Sequence, residues 1–215
     1  MPKLLELFCG TKSISKAFAA AGWETYTVDW ESKFNPTLCA DIGTLSKDDL
    51  IELCGGVPDV VWLSPDCTTY SVAALRYHRV KASNGDILPR SEYAAFCDKV
   101  NKHILNVVIN KLKPRYYFIE NPRSCFRKMD FVNGLSRYTV TYCQYGDNRM
   151  KPTDIFTNHP NPQFKPPCRN GAPCHQAAPR GSKAGTQALK NKVERGGDSK
   201  AIMWAYREDM SWRLN

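Results

Sequence analysis

Short apolar runs that alternate with helix-like segments predict an α/β fold built on a mainly parallel sheet. Three observations carry this expectation. Runs of strand length recur at Lys3–Phe8 (KLLELF), Glu24–Val28, Asp59–Leu63 (DVVWL) and Tyr116–Ile119 (YYFI). Amphipathic helical patterns stand between them. Polar residues with useful chemistry gather just after each strand, where such sheets bind their ligands.

In chain order, the first strand closes at Cys9-Gly10-Thr11 and a helix runs from Ser13 to Ala21. Thr11 or Ser13 is the expected N-cap, and Gly22 stands just past the helix end. Tyr93, Phe96, Val100, Ile104, Val107, Val108 and Leu112 recur at three- and four-residue spacing. That pattern predicts one apolar face of a long helix, capped by Ser91 and stopped by Pro114. Tyr138–Cys143 and Asp154–Thr157 read as later strands. The whole is a Rossmann-like sheet with helices on both faces over residues 1–157. From residue 158 the chain is dense in Pro, Gly and small polar residues and lacks periodicity, so 158–215 reads as a small, basic, loop-rich appendage. A short amphipathic tail is expected from Lys200.

The 215 residues carry 30 Lys and Arg against 21 Asp and Glu, a formal charge of +9. Such an excess suits a polyanionic partner, nucleic acid foremost, although basic surfaces also serve solubility. No apolar run approaches the roughly 20 residues that a bilayer span needs. The apolar stretch in MPKLLELFCG is too short for a signal peptide. Nine cysteines, an odd number set mostly within apolar segments, predict reduced thiols in a cytoplasmic protein.

At the first strand end, a turn at Gly10 opening a helix lets backbone N–H groups approach an anionic ligand, although an ordinary tight turn is the plainer account of this motif alone. Asp29-Trp30 follows the second strand, where nucleoside-binding α/β domains hold ribose hydroxyls roughly 20 positions beyond the Gly turn. Trp30 offers a face for adenine; a core Trp is the plainer alternative. Asp41-Ile42 supplies a further acid, which a helix cap also accounts for. Ser64-Pro65-Asp66-Cys67 presents a cysteine on a constrained turn, and Glu120-Asn121-Pro122 a carboxyl able to donate a proton.

Taken together and in this order, these motifs resemble the DNA cytosine-5 methyltransferase family over roughly residues 4–157. Phe8-Cys9-Gly10, Asp29-Trp30, Asp41-Ile42, Ser64-Pro65-Asp66-Cys67 with Thr69-Tyr70-Ser71, and Glu120-Asn121 carry the resemblance. It implies that residues 1–157 bind S-adenosyl-L-methionine through Phe8, Gly10, Asp29, Trp30, Asp41, Ile42 and Pro65. It further implies that Cys67 adds to carbon 6 of a flipped-out cytosine and that Glu120 holds the ring nitrogen. The basic stretch Ala74–Arg90 reads as a mobile loop closing over DNA, with Arg76, Arg79 and Lys81 on phosphates, and equally as a plain solvated loop. Lys151 stands in for the first Arg of the family's Gln-x-Arg-x-Arg segment.

The chain departs from the family pattern at three places. Asp66 precedes Cys67 where the family has Pro, and a carboxylate beside a thiol disfavours the thiolate. Arg149-Met150-Lys151-Pro152-Thr153 stands where the family has Gln-x-Arg-x-Arg. Only residues 158–194 lie between the last strand and Arg195, so either sequence selectivity is slight or a second chain supplies target recognition; the compact size suits a phage or mobile-element enzyme. Two other readings share the same residues: an exocyclic-amino DNA methyltransferase, and an inactive relative that binds cofactor or DNA. Within the appendage, Cys168, Cys174 and His175 suggest a structural zinc, with His159 or Cys125 as a fourth ligand; a turn-rich loop with ordinary thiols is the alternative.

Overall fold

The computed structural model describes residues 1–175. Arg180, Lys183, Lys190, Lys192, Arg195 and the tail from Lys200 lie outside the described residues. Two compact units divide the chain: Met1–Tyr138 with Asp154–His159, and Thr139–Thr153 with Pro160–Asn215. Thr139–Thr153 therefore groups with the residues that follow 160.

Strand β1 (Lys3–Leu7) is apolar except for Lys3 and Glu6. The chain turns through Phe8, Gly10 and Lys12, all at positive φ, into helix α1 (Ser13–Ala20). Lys12, not Thr11 or Ser13, occupies the N-cap, and its side chain makes no cap hydrogen bond. Glu6 replaces the missing cap from the strand below, accepting from Ser15 N (2.8 Å) and from the Ser15 hydroxyl. Strand β2 (Glu24–Asp29) runs parallel to β1, with Leu7 opposite Val28. Strand β3 (Leu38–Cys39) extends the sheet beyond β2. Helix α2 (Lys47–Cys54) opens with a reciprocal capping box between Ser46 and Asp49 and closes on Gly55 at φ 58°. Strand β4 (Val60–Leu63) is buried along its whole length.

The stretch expected as a basic loop carries secondary structure. It forms helix α3 (Leu75–His78) and a hairpin of β5 (Arg79–Lys81) with β6 (Ile87–Pro89). The hairpin reverses at Asn84-Gly85, where Gly85 takes φ 95° and Asn84 accepts from Asp86 N. Helix α4 (Glu92–Asn106) begins at Ser91, whose hydroxyl accepts from Ala94 N as the sequence predicts. It passes into a π-helical segment, Val107–Leu112, and ends at Lys113 in the left-handed region before Pro114. Its buried face is Ala94, Cys97, Val100, Asn101, Ile104 and Leu105, whereas Tyr93 and Phe96 stand exposed. Val100, Ile104, Val107, Val108 and Leu112 of the predicted stripe are buried, and Asp98 and Asn101 go inward beside them as polar residues. Strands β7 (Tyr116–Pro122), β8 (Arg137–Thr141) and β9 (Pro152–Thr157) complete the sheet.

The seven-stranded order is β3-β2-β1-β4-β7-β9-β8, and β1, β2, β3, β4 and β7 pair in parallel. The period-two alternation of the strands sorts side chains into two layers. Leu5, Leu7, Val61, Leu63, Tyr117 and Ile119 join one core with Leu50 of α2 and Ile104 and Leu105 of α4. Glu6, Trp62 and Phe118 fall on the other face, where Glu6 meets α1 and Trp62 stacks on Phe118 at 5.7 Å. Helices therefore cover both faces, and complete burial of each such Leu or Ile contributes roughly 1.5–3 kcal/mol. Among the described residues, no helix is long and apolar enough to cross a membrane.

Candidate active site

The β1 turn and the β2 end are joined by one carboxylate. Asp29, only 5% exposed, accepts from Gly10 N through Oδ2 (2.9 Å) and from Glu31 N through Oδ1 (3.0 Å). Open space surrounds the position where a Cβ on Gly10 would stand, while φ 47° makes any side chain there strained. Phe8 is half-buried against the core, itself in the left-handed region. Trp30 is 69% exposed and so is no core residue. Asp41 is exposed and caps the 3-10 turn Ile42–Thr44, its Oδ1 accepting from Gly43 N at 2.8 Å, while Ile42 is buried. Burial, with Glu6 and Asp29 nearby, pushes the Cys9 thiol up to about 12, so this cysteine is inert at neutral pH. Burial likewise raises Glu6 from 4.5 to about 7, against the lowering effect of its Ser15 donors.

The β4 and β7 ends lie side by side because Leu63 is in register with Ile119. One residue further along, Ser64 and Pro65 follow β4 while Glu120 and Asn121 belong to β7. Asn121 Nδ2 donates to the carbonyl of the buried Pro65 at 3.1 Å and ties the two segments together. Asn121 Oδ1 is buried and has no hydrogen-bond partner among the described residues. Cys67 is half-buried, and its carbonyl accepts from Tyr70 N at 3.1 Å. The Asp66 carboxylate is held by donors: Thr68 N (2.8 Å) and Thr68 Oγ1 (2.7 Å) on Oδ1, and the Tyr93 hydroxyl on Oδ2. These three donors satisfy both carboxylate oxygens. Glu120 is half-exposed.

Beneath Cys67 a buried polar cluster fixes the following residues. Arg79 donates to Asp98 Oδ2 (2.6 Å), the Thr69 carbonyl (3.1 Å) and Thr69 Oγ1 (2.9 Å). The Tyr70 hydroxyl donates to Asp98 Oδ1 (2.7 Å) and accepts from Asn101 Nδ2 (2.9 Å). Ser124 Oγ bonds the Tyr70 carbonyl. Burial and the bond to Asp98 drive the Tyr70 phenol far above its usual range, so it stays neutral. Arg79 corrects the sequence reading: its side chain is 1% exposed and its donors face inward, so it positions the loop and does not reach phosphate. Arg76 and Lys81 are exposed, as the reading requires.

In the second unit, Lys151 Nζ stands 4.2 Å over the ring of Tyr142. Cys168, Cys174 and His175 come together there, and their fourth companion is Cys143. Neither sequence candidate takes that place: His159 rests on Tyr116 with ring centroids 4.6 Å apart, and Cys125 is buried in the core. Sequence reasoning also missed the Asp98 and Asn101 support and the Tyr93 contact. Polar residues at positions 98 and 101, on one side of an otherwise apolar helix face, were the available signal.

No protein-family model matches the chain, and no curated protein matches it. Solved structures do. The S. pombe Dnmt2 methyltransferase is 19% identical with a TM-score of 0.50, over 73% of this chain and 50% of that one. A putative DNA modification methyltransferase encoded within an E. coli prophage is 14% identical with a TM-score of 0.52, over 73% and 46%. The Entamoeba histolytica methyltransferase EhMeth is 13% identical with a TM-score of 0.53, over 77% and 55%. This chain spans about half the length of each of these proteins. At such identities the likeness concerns architecture: the mostly parallel seven-stranded sheet with its helices matches the Rossmann-like fold of these neighbours.

Proposed function

We propose that this chain is an S-adenosyl-L-methionine-dependent DNA methyltransferase acting at carbon 5 of cytosine, with Cys67 as nucleophile and Glu120 as its partner. The reading rests chiefly on the bond from Asn121 to the Pro65 carbonyl, which sets the Glu120 strand end against the Cys67 turn.

The residues of the first three strand ends fit a charged nucleoside. Asp29 retains a lone pair on each oxygen after accepting from Gly10 and Glu31, enough for ribose hydroxyls. Trp30 offers its indole face, and Asp41 keeps Oδ2 outside its cap for an exocyclic amine. Phe8, Ile42 and Pro65 supply apolar surroundings. When bound, S-adenosyl-L-methionine supplies the electrophilic methyl group that carbon 5 receives.

Carbon 5 is a poor nucleophile in an intact cytosine and is unreachable inside a duplex, so the base must be extruded. Cys67 sulfur then bonds to carbon 6 and the carbon 5–carbon 6 electron pair moves to carbon 5. Glu120 holds a proton at the ring nitrogen where charge develops. A base from solvent then takes the carbon 5 proton, and the released electron pair restores the double bond and expels the Cys67 sulfur as thiolate. Arg76, Lys81 and Lys151 are the proposed phosphate contacts, and target choice is left to a segment or second chain beyond the described residues. We place the protein in the reducing cytoplasm of a bacterial or phage-infected cell, where nine cysteines outside any disulfide are at home.

Asp66 beside Cys67 favours a second reading, a silent relative that binds cofactor or DNA. A 5-fluorocytosine oligonucleotide separates them. The active enzyme forms a covalent adduct that Cys67→Ser abolishes while cofactor affinity stays within twofold. An adduct that survives Cys67→Ser removes the nucleophile assignment, and none with the wild type supports the silent relative.

A further inference from the structure

We infer that Cys143, Cys168, Cys174 and His175 form a closed, four-ligand zinc site that staples the Pro-rich segment to the turn after β8. The inference stands on this cluster alone and does not depend on the methyltransferase reading.

The four ligand atoms all lie within 4.8 Å of one another. Cys168 Sγ is 3.2 Å from Cys174 Sγ, and each of these sulfurs is 3.6 Å from His175 Nδ1. A tetrahedral zinc with Zn–S of about 2.3 Å and Zn–N of about 2.0–2.1 Å separates sulfur from sulfur by about 3.8 Å and sulfur from nitrogen by about 3.6 Å. The cluster is therefore close to the size that the ion demands. A disulfide between Cys168 and Cys174 needs about 2.05 Å, well short of the separation here.

The surrounding chain is arranged to deliver these ligands. Between Cys168 and Cys174 a turn closes on the bond from Ala172 N to the Arg169 carbonyl, with Gly171 at φ 82°. Cys168 N donates to the buried Thr141 hydroxyl at 2.7 Å, and Lys165 N donates to the Tyr145 hydroxyl at 2.9 Å. Lys165 Nζ reaches the Gln144 carbonyl at 3.0 Å, and Gln144 Nε2 lies 3.7 Å from Cys174 Sγ as a donor to that sulfur. Cys143 is buried and supplies the ligand from the far side of the turn. Three soft thiolates and one imidazole, with no open position, select a structural zinc over magnesium, calcium or a catalytic ion.

The full chain, purified without chelator, is expected to hold one zinc per molecule by plasma mass spectrometry. Cobalt exchanged into it is expected to show tetrahedral visible bands and a sulfur-to-cobalt charge-transfer band of three thiolates. Cys143→Ser and Cys174→Ser each weaken zinc retention at least tenfold, whereas Cys39→Ser at an exposed thiol leaves it unchanged. His175→Cys retains the metal and strengthens the charge-transfer band by about one third, as four thiolates require. This variant guards against loss of metal through misfolding. Zinc content far below one, octahedral cobalt, or a Cys168–Cys174 disulfide in the unreduced mass overturns the assignment.

Discussion

Replacing Asp98 with Asn tests whether Arg79 belongs to the interior of the fold. The Arg79 side chain is 1% exposed and that of Asp98 is 11%, so the substitution leaves a guanidinium in the core without its counter-charge. Breaking one partner of a buried pair costs about 3–5 kcal/mol. The amide of Asp98→Asn keeps the shape and an oxygen for the Tyr70 hydroxyl, which places the expected loss near the lower end, about 3 kcal/mol. Arg79→Met should cost a similar amount, since Asp98 is then left with Tyr70 alone. The double variant Arg79→Met with Asp98→Asn removes both charges and abandons the Thr69 acceptors. It should cost only about 1–3 kcal/mol, far less than the two single losses added together. Urea unfolding of the full chain, followed by far-ultraviolet circular dichroism, measures all three. Single losses below about 1 kcal/mol that simply add are the behaviour of a surface pair and would refute the buried position.

Trp30→Ala should leave stability within about 0.5 kcal/mol, because the indole is exposed, while weakening S-adenosyl-L-methionine binding about five- to tenfold by calorimetry. Unchanged affinity removes Trp30 from the cofactor site. Ser46→Ala dismantles the capping box of α2 and should cost about 1 kcal/mol in the same urea assay; no loss contradicts the cap. Glu6 gives a pH signature. Its carboxyl is raised from 4.5 to about 7, so between these values the folded state holds a proton that the unfolded chain has released. Its stabilising contribution is complete below pH 4.5 and is lost as pH rises toward 7. Glu6→Gln should therefore gain about 3 kcal/mol relative to wild type between about pH 4.5 and about pH 8, and a flat difference contradicts the burial argument.

The sheet was legible because its signal is local. DVVWL and YYFI are apolar, short and bounded by polar residues, and the observed strands Val60–Leu63 and Tyr116–Pro122 begin and end within a few residues of those runs. Ser91 as a cap and Pro114 as a stop are likewise readable one residue at a time. The failures at Arg79, Glu6 and Cys143 are pairings over distance. Arg79 looks solvated within a basic stretch, and only Asp98, placed by helix α4, draws it inside. Glu6 looks like an ordinary interruption of a strand until α1 presents an uncapped N-terminus above it. Cys143 joins Cys168, Cys174 and His175 from across a turn, a spacing that no consecutive pattern records. At the strand ends the residue types were legible, but that Asn121 bonds the Pro65 carbonyl depends on the β4–β7 register.

The most direct test of the account is mass spectrometry of nucleosides from mixed-sequence DNA incubated with the protein and S-adenosyl-L-methionine. The account predicts 5-methylcytosine, formed by the wild type and absent with Cys67→Ser. Methylation on an exocyclic nitrogen, or product that persists without the Cys67 sulfur, contradicts it.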